Sequence, residues 1–185
     1  TGTVRLYRKV REAVAGHEDK SLEIHVRWMP WNGDWSALAS EVAQTRDWQD
    51  DGRCIVVYFG YYFGVGYGAV KFGKCLDAEG LVVTAAVFSD GVFRSRLLSF
   101  RWLSFWWARF VGAQPRIVLP PTFRAAKVTA FAQTDDPHLR GHEIINCDLP
   151  VKRQMLHHAH SGMDDAEEFH AQALLTVKEV LSRAT

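Results

Sequence analysis

The sequence predicts an α/β domain, with a mostly parallel sheet and helices on both faces. Two runs, "CIVVYFG" at 54–60 and "LVVTAAVF" at 81–88, are continuously β-branched and aromatic, as in strands buried on both faces. Segments with helical apolar spacing alternate with them, and that alternation produces parallel strands joined by crossover helices. A length of 185 residues, 48% of them hydrophobic and 23% charged, suits one domain spanning 1–185 with a core of its own.

The first helix is read over 4–15, where Leu6, Val10 and Val14 recur at four-residue spacing and Gly16 ends the run. "LEIHVRW" at 22–28 alternates apolar and polar side chains and is expected to be a strand. A turn at Asn32-Gly33 leads into a helix with Trp35, Leu38, Ala39 and Val42 on one face. After the strand at 54–60 comes a helix over 65–79, then the strand at 81–88. "AAKVTAFAQ" resumes the strand pattern from 125, and the four strands 22–28, 54–60, 81–88 and 125–131 are expected to lie adjacent and parallel. "HEIIN" reads as one more strand, and a final helix over 165–183 carries Phe169, Ala173, Leu174, Val177 and Leu181 on one face. Asp164 and Asp165 are taken as its N-cap and first-turn charge.

Residues 93–121 differ from all of this. They concentrate Trp102, Phe105, Trp106, Trp107 and Phe110, end at Pro120-Pro121, and read as a lid-like or cap-like insertion between two strands. Such an aromatic segment suits contact with a protein partner or a second copy of the chain. No basic face accompanies it, so membrane contact ranks below protein contact.

A formal net charge of +1 gives no electrostatic footprint for nucleic acid. Cys54, Cys75 and Cys147 form no CxxC pair and are odd in number, which points to a reducing compartment such as the cytoplasm. No leader pattern opens the chain and no apolar run approaches the ~20 residues of a spanning helix. The chain begins at Thr1 without Met, and reads as a processed form or a fragment. His142, His157, His158 and His160 with Asp164 lack the spacing of a metal site, and no metal or cofactor is expected.

The stretch "FGYYFGVGYG" at 59–68 carries the functional question. Gly64, Gly66 and Ala69 give G-x-G-x-x-A between a strand and a helix, with Asp90 ending the next strand, the outline of a nucleotide-binding loop. Gly60 and Gly64 also flank position 62 as the glycines of G-x-S-x-G flank a nucleophile at a sharp strand-to-helix turn. Position 62 is tyrosine.

Here the chain resembles the α/β-hydrolase superfamily, in its lipase and esterase branch. The resemblance runs through the order of elements: a loop end at "TGT", helix, strand, helix, elbow, helix, strand, aromatic lid, strand, histidine loop and last helix. It implies that the family's first strands lie upstream of Thr1. It further implies His160 in "HHAHSGMDD" as the triad histidine, with His157 second, and Asp90, Asp135 or Asp136 as the acid. The backbone N–H groups of Phe63 and of a residue near Gly2 would form the oxyanion hole. Against these stands Tyr62, whose phenol has a pKa near about 10 and holds its oxygen several ångströms farther out than a serine would. The expectation is a degenerate hydrolase used as a binding or structural module. A carboxyl-ester hydrolase with an unconventional nucleophile is the alternative, and a nucleotide-binding module a further one.

Overall fold

A computed structural model describes residues 2–17, 23–47, 54–92, 116–135 and 142–184. Helix α1 (Gly2–Ala15) and helix α2 (Trp35–Asp47) precede strand β1 (Val56–Tyr61). A π-helical segment, Gly64–Ala69, runs directly into α3 (Val70–Ala78), followed by β2 (Val83–Ser89). Strands β3 (Arg116–Val118), β4 (Lys127–Gln133), β5 (Glu143–Ile145) and β6 (Lys152–Leu156) come next, then helix α4 (Glu167–Ala184).

The main sheet is parallel, in the order β1-β2-β4-β6, and β3 pairs with β5, also in parallel. Its residues alternate between two cores. Tyr58, Ala86, Phe88, Val128 and Ala130 face Trp35 and Ala39 of α2 and Phe72 and Leu76 of α3. Val87 and Phe131 face Leu6 and Val10 of α1 and Phe169, Ala173 and Val177 of α4. Each helix thus turns its apolar stripe to one side of the sheet, so helices cover both faces.

Two expectations are corrected. Residues 23–28 form no strand, and the fourth strand of the main sheet is instead β6, at the far side of β4. The alternation in "LEIHVRW" records one-sided burial, with Val26 packed against the α1/α4 core, while the polar side chains pair locally. Arg27 donates to Glu41 from Nε at 2.9 Å, and His25 Nε2 meets Glu23 at 2.8 Å. An in-and-out pattern needs only a surface to lie on; a strand also needs a neighbouring backbone. The second correction concerns the insertion. Residues 93–115, with the aromatic cluster, lie outside the described residues. Residues 116–121 belong to the body of the domain: Ile117 and Leu119 are each 2% exposed in the α2/α3 core.

Candidate functional site

The register of the sheet decides what meets at its carboxyl edge. Tyr61 lies opposite Ser89, and Ser89 opposite Phe131. The next residues along β1 and β2 are therefore Tyr62 and Asp90, at the place where open α/β sheets bind ligands. Both have left-handed backbones, φ 51° at Tyr62 and 46° at Asp90. A non-glycine residue in that region is strained by roughly 1–3 kcal/mol and must be held there by its surroundings. At Tyr62 the N–H donates to Ser89 O (3.0 Å), and its carbonyl accepts from the N–H of Val65 and of Val92, both at 3.1 Å. At Asp90 the N–H donates to Phe131 O at 2.8 Å. The chain thus makes a sharp strand-to-helix turn with Tyr62 at its apex.

His160 opens a short 3-10 turn, His160–Gly162, between β6 and α4. Its Nδ1 is in hydrogen-bond contact with Asp90 Oδ2. The Asp90 side chain is fully buried and that of His160 is 17% exposed. A carboxylate only accepts, so Nδ1 is the donor of this pair, which in a neutral ring leaves Nε2 as the acceptor. The Tyr62 ring packs on the imidazole with centroids 4.5 Å apart, and Tyr61 stacks on it at 5.9 Å and 23°. Tyr62, His160 and Asp90 are thus brought together.

The other candidates are placed elsewhere or engaged otherwise. Asp135 is exposed, accepts from Thr134 Oγ1 at 2.8 Å, and forms a 3.9 Å ion pair with the largely exposed His157. Those two make a separate surface pair, since Asp90 already occupies His160. Asp136 lies outside the described residues. The Phe63 ring touches Tyr62 (4.2 Å), Trp31 (5.4 Å) and Tyr67 (5.5 Å). Gly2 abuts the turn after His160, and its N–H donates to Asp164 Oδ2 at 2.8 Å, which commits that donor. Asp164 therefore caps the start of α1, not the final helix, which begins at Glu167; Asp165 pairs with Arg5 at 2.8 Å.

Sequence reasoning missed the residues that hold the histidine turn. Ser89 Oγ donates to Met163 O at 2.7 Å within the core. Tyr61 Oη donates to His160 O at 3.0 Å. The buried His170 binds Asp164 O through Nε2 (2.9 Å) and meets Lys9 Nζ through Nδ1 (3.3 Å). The contacts of Ser89 and Tyr61 reach main-chain carbonyls 74 and 99 residues away, and no local pattern announces them.

The glycine stretch is helical here. Gly66, Gly68 and Ala69 are buried inside the segment that follows Tyr62, whereas a phosphate cradle presents its amides outward. A cavity of about 240 Å³ lies beside the residue following Asp90, lined by Gly91, Phe131, His142, Ile144, Asn146 and Arg153. Among the described residues no group of three or more His, Cys, Asp or Glu is placed to hold a metal ion, and no helix is long and apolar enough to cross a membrane. Comparison of the chain with family models, with curated proteins and with solved structures yields no match.

Proposed function

We propose that the chain is a domain of α/β-hydrolase descent in which tyrosine has taken the nucleophile position, leaving a binding or structural module without ester-hydrolysing turnover. The observation that carries this reading is the placement of Tyr62 at a strained strand-to-helix apex, against a histidine paired with a buried aspartate. In a hydrolase of this type the pair supplies the base and the apex supplies the nucleophile. Here the apex side chain is long and planar. Its ring occupies the space over the imidazole where an acyl group would sit, and a misplacement of about 1 Å already costs roughly two orders of magnitude in rate. The aromatic segment 93–115 supports a protein partner, or a second copy of the chain, as what such a module meets.

One observation favours a second reading, a carboxyl-ester hydrolase with Tyr62 as nucleophile. The Asp90–His160 pair is intact, and a buried carboxylate is costly to keep unless it serves. In that chemistry Tyr62 Oη attacks the ester carbonyl while His160 Nε2 takes the phenolic proton and passes it to the leaving alcohol. Water, deprotonated by the same nitrogen, then cleaves the tyrosyl ester.

A fluorophosphonate probe and an activated ester separate the two. The unaltered chain is expected to remain unlabelled, whereas Tyr62→Ser becomes labelled at least about a hundredfold faster and loses that labelling when His160→Ala is added. Labelling of the unaltered chain that disappears in Tyr62→Phe establishes the second reading instead.

A further inference from the structure

We propose that Tyr61 is a positioning residue that sets the plane of the His160 imidazole. The inference rests on the Asp90–His160 pair as the centre of the site described above.

Asp90 alone does not fix the ring. A single hydrogen bond at Nδ1 pins one atom and leaves the imidazole free to swing about that contact, which would carry Nε2 over an arc. The turn that bears the histidine has no side-chain cap at its start, so its backbone needs anchoring as well. Tyr61 supplies both missing restraints. Its hydroxyl donates to the His160 carbonyl at 3.0 Å, tying down the backbone from which the imidazole hangs. Its ring lies nearly parallel to the imidazole, at 23° and 5.9 Å between centroids, and limits rotation out of that plane. The Tyr62 ring, tilted by 57° at 4.5 Å, bounds the movement further. An atom, a plane and a backbone anchor together define one direction for Nε2.

The Tyr61 donor is dependable. Burial, then the nearby carboxylates of Asp164 and Asp90 and the Tyr62 phenol, push its ionisation well above the ordinary phenol range. The hydroxyl therefore keeps its proton near neutral pH. Position follows from the strand: Tyr61 is the last residue of β1, level with Ser89, so its side chain leaves the sheet beside the histidine turn that Ser89 also holds.

The test reads the imidazole directly, by ¹H–¹⁵N NMR of the whole chain with Tyr61→Phe and Tyr61→Leu. Tyr61→Phe keeps the ring and loses only the hydroxyl, so it is expected to fold and tests the backbone anchor directly. The expected result is that exchange of the His160 Nδ1 proton with water rises about tenfold, by analogy with the roughly 10–100-fold losses of metal affinity or activity when a partner orienting a metal-bound histidine is removed. Tyr61→Leu, lacking the ring as well, is expected to give a mixture of the two tautomers. A folded Tyr61→Phe with unchanged Nδ1 exchange and an unchanged tautomer overturns the proposal, leaving Tyr61 as packing alone. Asp90→Asn is the control for the underlying site: a Nδ1 signal indifferent to that change removes the Asp90–His160 pair and the inference with it. Fluorophosphonate labelling of the unaltered chain at Tyr62 instead overturns only the non-catalytic reading, and the imidazole measurement stands apart from it.

Discussion

Tyr58 and Tyr61 sit three residues apart on β1, and burial raises the pKa of both phenols, with different consequences for function but the same one for stability. Tyr58 is the more deeply buried, and its hydroxyl donates to Gly64 O at 2.6 Å. A phenol whose folded-state pKa lies above its unfolded value, near about 10, binds more protons in the folded chain. Stability is then fully present below about pH 10 and falls as the pH rises beyond it, because unfolding releases protons there. The melting temperature is expected to be level on the neutral side and to drop in that alkaline window. Tyr58→Phe should lower the level part by about 1 kcal/mol through the lost hydrogen bond and make the alkaline drop shallower. An undiminished drop in that variant would assign it to other groups. At this scale the sequence displays Tyr62, Asp90 and His160, since each falls at a recognisable place: between flanking glycines, after a buried strand, before the last helix. Tyr61 and Ser89 are illegible, because each acts on a carbonyl 99 or 74 residues away.

Elements were legible where burial and hydrogen bonding agree. Strands β1, β2 and β4 send apolar side chains to both cores, as strands covered by helices on both faces do. β6, with the sequence KRQML, exposes most of its residues and carries two charges at its start, so it has no apolar signature; only the open edge of β4 makes it a strand. The π-helical start of the helix before α3 was equally hidden, though its glycines were not. An added methyl at Gly68 would lie 2.7 Å from Tyr58 Oη and 3.0 Å from the Trp35 ring, at the contact between this helix and α2. Alanine gains about 1 kcal/mol in helix propensity, while overpacking a closed contact costs about 1–3 kcal/mol, so Gly68→Ala should be net destabilising. Gly64→Ala provides the contrast, since nothing lies within 4 Å of its added methyl. Urea unfolding is expected to show opposite signs for the two. A Gly68→Ala chain as stable as Gly64→Ala means that Trp35 and Tyr58 have room to yield.

At the scale of the molecule, the two cores of the described residues lie on opposite faces of the sheet. One step along β2 passes from Phe88, packed with α2 and α3, to Val87, packed with α1 and α4, and β4 repeats the step from Ala130 to Phe131. The same backbone hydrogen bonds therefore support both sides. Removing the helices from one face would leave the ladder half-exposed, so the two faces are expected to unfold together. Phe169, 1% exposed on the α4 side, tests this. Phe169→Ala is expected to cost about 3–5 kcal/mol, a large share of the roughly 5–15 kcal/mol that holds a domain of ordinary stability. If the sheet couples the faces, native-state hydrogen exchange will show the Leu76 amide, in α3 on the opposite side, losing the same protection as the Val87 amide in β2. Global unfolding then limits both, and one thermal transition is seen by every probe. Should Leu76 keep its protection while Val87 loses its own, the α2/α3 side holds together without α4. The histidine turn, which hangs between β6 and α4, could then open separately from the Tyr62 apex that it faces.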